Sequence, residues 1–259
     1  MERSYKIKGI FLFLLTTILI FPIPATSSTV KTQQMLAKSL EDDILKALGK
    51  NIQCKKTEVQ VKFATEKAQE IKSLIVKFEG ITLGAMLADH MAILLENPAI
   101  DVNKLRKTKE FKILTASKTK VNILISSKAI EAYLANKAKQ LQKKANRISI
   151  KFAPPFIECL FDAPVSEISP ETLKLLEKFV KGTKLEGYAA IQIKIKDNAF
   201  FALPSKVIVN HFLIPDVILR ELQNKFNPFD GIPVLSPFQY SISTATVQNQ
   251  YLYLTNSNL

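Results

Sequence analysis

Ile191, Ile193 and Ile195 alternate with Gln192, Lys194 and Lys196, and that period of two describes a strand with one buried and one wetted face. Two polar residues that tolerate left-handed backbone, Asp197-Asn198, follow, and then comes the apolar run Phe200 to Leu203. The pattern predicts a hairpin in which Phe200 to Leu203 folds back on the isoleucine strand. Pro204 interrupts it, and Lys206 to Asn210 supplies a separate short β-branched run. Pro215-Asp216 then opens a helix with Ile218, Leu219, Leu222 and Phe226 inside, and Asn227-Pro228 closes it. From Pro237 the alternation returns, with Phe238, Tyr240 and Ile242 on one face. Tyr251 to Leu254 forms the returning arm after Gln248-Asn249.

Upstream the same grammar holds. Leu36, Leu40, Ile44 and Leu48 recur every fourth residue, with Met35 and Leu45 widening the stripe and Gly49 just past the end, which predicts an amphipathic helix packed on a sheet. Val59, Val61 and Phe63 alternate with Gln60 and Lys62, and Ile71 to Phe78 repeats the habit. Gly80 to Asn97 reads as a buried strand pair or a short helix, with strand favoured in both halves, Asp101 to Lys107 as a short helix or turn, and Phe111 to Ile125 as strand. Ser126-Ser127 caps a helix to Lys144 with Ile130, Tyr133, Leu134, Lys137 and Leu141 at helical spacing. Ile148, Ile150 and Phe152 form a strand that Pro154-Pro155 breaks and Phe156 to Phe161 continues. Ser169-Pro170-Glu171 starts a helix with Leu173, Leu176, Phe179 and Val180 inside. The sum is an α+β fold in which antiparallel strands dominate and three or four amphipathic helices accompany them, without a strong internal repeat.

Met1 to Ser27 has the three-part layout of a secretory signal peptide: Arg3, Lys6 and Lys8, an apolar run from Gly9 to Phe21, then Ala25-x-Ser27 as a cleavage site. The run is short for a spanning helix, and Pro22 and Pro24 spoil its end, so cleavage is expected rather than retention as an anchor. What remains, residues 28–259, is long enough for one core and reads as one domain. The chain carries a formal charge of +13 and stays strongly basic after Arg3, Lys6, Lys8 and Glu2 are removed. Export, scattered lysines and the absence of a helix-turn-helix or zinc motif argue against nucleic acid. An anionic partner such as a membrane surface or cell-wall polymer fits the charge, and plain solubility fits it equally.

The chemistry-bearing residues are few. Cys54 and Cys159 are the two cysteines of the chain. In an exported protein they either join, closing a loop worth about 4–5 kcal/mol in the chain-entropy model, or remain two buried thiols on strands. His90 and His211 sit in apolar strand-like runs and read as structural histidines. Glu41, Asp42 and Asp43 read as the solvated face of the first helix. With no His-x-x-x-His, Cys-x-x-Cys or Gly-x-Ser-x-Gly, no catalytic residue, metal site or cofactor is expected.

The order of motifs carries more. The signal segment, the N-terminal amphipathic helix, the strand and helix around Ser126 to Lys144, and the tail Leu185-Glu186-Gly187, Leu203-Pro204, Ile214-Pro215, Asn227-Pro228 and Ser236-Pro237-Phe238 together resemble the LmeA-like phospholipid-binding proteins, an exported bacterial family. Gly80 to Leu105 carries less of the likeness than the tail. The resemblance implies a non-enzymatic envelope protein that binds phospholipid or an acyl chain. It also implies a long curved antiparallel sheet with helices enclosing a hydrophobic groove, similar to tubular lipid-binding domains. Sixteen phenylalanines and no tryptophan supply an apolar interior that could be such a groove or a filled core. The runner-up reading is a structural or interaction module of the envelope that docks on anionic surfaces through its basic face. In a curled sheet one face of each strand looks inward, so Ile191, Ile193 and Ile195 are expected to share the groove face with Phe238, Tyr240 and Ile242. Lys194 and Lys196 then face water and stand outside lipid uptake.

Overall fold

The computed structural model describes residues 27–64, 70–140, 146–180, 182–196, 199–225 and 234–256. The expected signal segment lies outside these residues but for its last one. The chain divides into two units, Met1–Leu36 and Ala37–Leu259. All the sheets belong to the second.

The fold is α+β, with its antiparallel strands shared between two large sheets and a short ribbon. A six-stranded sheet has the order β1-β2-β3-β6-β13-β12, built from β1 (Lys56–Phe63), β2 (Ile71–Leu83), β3 (Met86–Glu96), β6 (Lys118–Ser126), β12 (Thr244–Val247) and β13 (Tyr251–Thr255). A five-stranded sheet has the order β11-β10-β9-β8-β7, built from β7 (Arg147–Ala153), β8 (Phe156–Pro164), β9 (Lys184–Lys196), β10 (Ala199–Val209) and β11 (Phe212–Leu213). The ribbon pairs β4 (Ala99–Ile100) with β5 (Ile113–Thr115). Five α-helices occur among the described residues: α1 (Ser27–Asn51), α2 (Val102–Thr108), α3 (Ser127–Gln140), α4 (Pro170–Leu176) and α5 (Asp216–Lys225).

In α1 the stripe narrows relative to expectation. Leu40, Ile44, Ala47 and Leu48 are buried, whereas Met35, Leu36 and Leu45 are exposed, because Leu45 is turned about 100° from Ile44 while Ala47 and Leu48 lie one turn on. Only Asp42 of the acidic trio solvates the helix. Glu41 accepts a hydrogen bond from the Val61 amide at 2.9 Å, and Asp43 binds Lys109 at 3.0 Å and approaches Arg106 at 3.8 Å. Lys109 ends α2, whose other end is capped by Asp101 accepting from the Lys104 amide.

Gly80 to Asn97 is a hairpin of β2 and β3, as its apolar run implies. Leu74, Val76 and Phe78 face the core up to Glu79, and Ile81 and Leu83 do so beyond it. The inward face changes over at Gly80, which sits at φ +59°, a conformation glycine adopts without steric cost. Ser126 caps α3 by accepting from the Ala129 amide at 3.3 Å. Ala129, Ile130 and Tyr133 are buried, and Leu141, expected on the same face, lies outside the described residues.

An internal repeat that sequence reading missed becomes visible here. Val59-Gln-Val61-Lys-Phe63-Ala64 in and just after β1 matches Ile148-Ser-Ile150-Lys-Phe152-Ala153 in β7. Each strand is the edge of its sheet and follows a helix. Glu131 of α3 accepts from the Ile150 amide as Glu41 of α1 accepts from Val61. Both glutamates satisfy an edge amide that has no neighbouring strand.

The second half of the chain corrects three expectations. Phe156 to Phe161 does not continue the preceding strand but turns back at Pro154-Pro155 and pairs with it. β10 is continuous through Pro204, with a bulge between Pro204 and Lys206. A proline is tolerated there because this stretch of β10 has a ladder partner only on its β9 side. The bulge shifts the phase by one, so Phe200 and Ala202 before it and Val207 and Val209 after it are all buried. α4, capped by Ser169, stops at Leu176, and Phe179 and Val180 are half-buried beyond its end. In α5, Leu219 is buried and Ile218 half-buried, while Phe226 and the Asn227-Pro228 stop lie outside the described residues.

The inward faces of both sheets form one hydrophobic cluster. Gly187 on β9 pairs with Phe161 on β8, and a Cβ there would lie 2.0 Å from the Phe161 ring. Only glycine leaves room for that aromatic ring.

Candidate ligand site at the seam between the sheets

β9 is longer than the strand beside it. Its last pairing with β8 is Ile191 opposite Ile157, because the Pro154-Pro155 turn starts β8 at Phe156. From Gln192 onward β9 has a ladder partner only in β10. On the vacated side stands β12, the edge of the six-stranded sheet, which pairs with β13 alone. Two half-open edges thus meet across the core.

Between them lies an open pocket of about 390 Å³, at the small end of the range for small-molecule sites. Pro154 and Pro155 form one wall, Gln192, Ile193 and Lys194 the floor, and Ala245, Thr246 and Val247 the other wall. The lining is apolar where Ile193 and Val247 face the core and polar where Gln192, Lys194 and Thr246 reach the surface. Lys194 is exposed and makes no ion pair among the described residues. An apolar slot with the Lys194 ammonium at its mouth suits an amphiphile whose tail enters and whose anionic head stays at the rim.

Of the six expected groove residues, Ile193 lines this pocket. Ile191, Ile193 and Ile195 do face inward, with Ile193 at 8% exposure and its two neighbours half-buried. Phe238, Tyr240 and Ile242 are buried and alternate as expected, and all six residues join the same cluster. Their stretch precedes β12, which begins only at Thr244. Phe238 packs edge-on against Phe78 and Phe111, with ring centres 6.2 and 6.0 Å away, so it belongs to the filled part of the core. Burial pushes the Tyr240 hydroxyl above its ordinary value, and that oxygen accepts from the Leu235 amide at 3.3 Å. Lys194, expected to face water only, also lines the pocket. Pro154-Pro155 and β12 were missed as site residues. The double proline was their one sequence signal, since it truncates β8.

The other expected chemistry disperses. Cys54 and Cys159 are free thiols. Cys54 precedes β1, where its sulfur lies 3.0 Å from the Thr57 hydroxyl, and Cys159 is inside β8, so they serve different sheets and no bridge forms. Burial, with the Glu131 carboxylate adding to it, pushes the Cys159 thiol up to about 11. His90 and His211 are not enclosed by apolar neighbours as expected: both are exposed. His90 points outward from β3, and His211 occupies the β10–β11 turn at φ +72°. Among the described residues no group of three His, Cys, Asp or Glu side chains is placed to hold a metal ion, and no helix is long and apolar enough to cross a membrane. No family model, curated protein or solved structure matches the chain.

Proposed function

We propose that this is a non-enzymatic lipid-binding protein of the cell envelope, exported by its N-terminal segment, that holds a phospholipid or another acyl-chain amphiphile at the seam between its sheets. The observation that carries the reading is the open pocket where Ile193 provides an apolar floor and Lys194 a cation that makes no ion pair among the described residues. An acyl chain gains about 0.8 kcal/mol for each methylene removed from water, and a lysine at the mouth favours an anionic head. The resemblance to LmeA-like proteins and the basic charge of the chain point the same way.

The test is organic extraction of the purified protein followed by mass spectrometry, together with uptake of a fluorescent phospholipid. A co-purifying lipid and saturable uptake are expected. Lys194→Glu is expected to reduce uptake of phosphatidylglycerol more than that of phosphatidylcholine. An extract without lipid, combined with no uptake by the folded protein, would sink the reading.

A further inference from the structure

The register of the five-stranded sheet fixes which side chains share its outer face. Ser149, Leu160, Tyr188, Ile208 and Leu213 stand opposite one another in a single row across all five strands. An antiparallel sheet facing water normally turns polar residues outward. Here Leu160 is 46% and Leu213 62% exposed, and Phe201 on β10 is 41% exposed on the same face. The apolar row lies on the wet side of the sheet.

The charges around it are not balanced either. Lys184 binds Asp162 at 2.7 Å and Glu186 at 2.9 Å, and Glu158 accepts from the Tyr188 hydroxyl at 2.9 Å. Arg147 stands opposite Asp162 and Lys151 opposite Glu158 in the ladder. Arg147, Lys151 and Lys206 point outward from the rows beside the apolar one. They are exposed and make no ion pair among the described residues. Arg147, Lys151, Lys184, Lys194 and Lys206 outnumber Glu158, Asp162 and Glu186 on this face, so its balance is positive.

The geometry points to this outer face as a docking surface for an anionic lipid bilayer. The apolar row seats at the boundary between headgroups and acyl chains, and Lys151, Lys206 and Arg147 meet the phosphates. A second copy of the chain is a poor occupant, because a two-fold contact would bring two faces of positive balance together. Lys194 lies on the same face, opposite Phe201, and also lines the seam pocket. Docking thus sets the mouth of that pocket against the headgroups. The docking itself does not depend on the pocket holding a lipid.

The chain contains no tryptophan, so Leu213→Trp places a single indole reporter on the face, Phe201→Trp gives a second, and Leu114→Trp on β5 serves as a control. Vesicles of equal parts phosphatidylcholine and phosphatidylglycerol are expected to shift the emission of both reporters to the blue. The control is expected to stay unchanged, as are all three variants with phosphatidylcholine alone. In the Lys151→Gln/Lys206→Gln background the half-maximal shift is expected to need roughly 25-fold more lipid, taking about fivefold per lysine near an anionic surface. Uptake of fluorescent phospholipid is expected to remain at the wild-type level in that background. The proposal is overturned if neither reporter shifts, if phosphatidylcholine alone shifts them equally, or if the control shifts as much. It is likewise overturned if the shift follows protein concentration without vesicles, the sign of a second copy on the face.

Discussion

The six-stranded and five-stranded sheets begin in the same way, with a helix, a glutamate that satisfies an edge amide and a strand of nearly the same sequence, but they seal unequally. Leu74, Val76, Ile93 and Ile123 of the larger sheet are at 0% exposure, and Val209 and Ile157 of the smaller one come close at 1% and 2%, but Ile150, Cys159, Ile193 and Ala202 near them lie at 6–9%. The larger sheet continues as an unbroken ladder from β1 through β3 and β6 to β13. The smaller one loses β8 at Pro155, and β9 runs on past it. One sheet supplies stability, and the other exchanges part of its packing for an opening and an apolar outer row.

The comparison breaks most easily in the core. Ile123→Ala is expected to cost about 2–5 kcal/mol in urea denaturation, whereas Ile193→Ala should cost less than half as much, since its side chain borders an open pocket that water can fill. Equal costs would mean that the two sheets are packed alike.

Gly187→Ala comes next. Its methyl group has no room beside the Phe161 ring, so a loss of about 1–3 kcal/mol is expected. The double variant Gly187→Ala/Phe161→Leu should recover part of that loss in the same denaturation measurement. No recovery would place the strain elsewhere.

Much of this architecture can be read from pattern. Ile191, Ile193 and Ile195 against Lys194 predict β9 and its hairpin, because a one-residue slip would bury a lysine, and Ser169 and Asp101 announce their helices because short polar side chains cap orphan amides. Sequence reading fails where the structure depends on contacts distant along the chain. The bulge at Pro204 changes the phase of β10, so its second half reads as a separate strand. Phe238, Tyr240 and Ile242 alternate like a strand, but alternation reports only burial, and the strand that follows them begins at Thr244. The seam pocket is harder still, since it arises where β9 outlasts β8 and β12 happens to stand opposite. The repeat hides in six residues and two glutamates. The resemblance to a lipid-binding family implied a ligand class but pointed to no residue on β12.

A smaller effect tests the shared edge device. Glu41→Ala and Glu131→Ala each leave an edge amide without its carboxylate, and each is expected to cost about 1 kcal/mol, the low end for a lost partner because water reaches a sheet edge. If only one variant loses stability, the two halves are not equivalent.

The smallest effect is in alkaline titration. The Cys159 thiol ordinarily titrates near 9.0 and is pushed to about 11 in the folded chain. The unfolded chain therefore releases this proton first. The stabilising contribution is complete below about pH 9 and is lost as pH rises toward 11. Denaturation midpoints followed over that window should fall less steeply in Cys159→Ala than in the wild type, and identical slopes would contradict the burial of this thiol.

The most direct test of the central claim fills the seam and leaves both sheets intact. Ala245→Trp, half-buried on β12 and part of the pocket wall, should occupy the space above Ile193. Uptake of fluorescent phospholipid would be measured against wild type and against Leu114→Trp, which lies on β5 away from the seam. The account predicts that uptake falls more than tenfold in Ala245→Trp, with a melting temperature near that of the wild type, and is unchanged in Leu114→Trp. Wild-type uptake by a folded Ala245→Trp protein would contradict it.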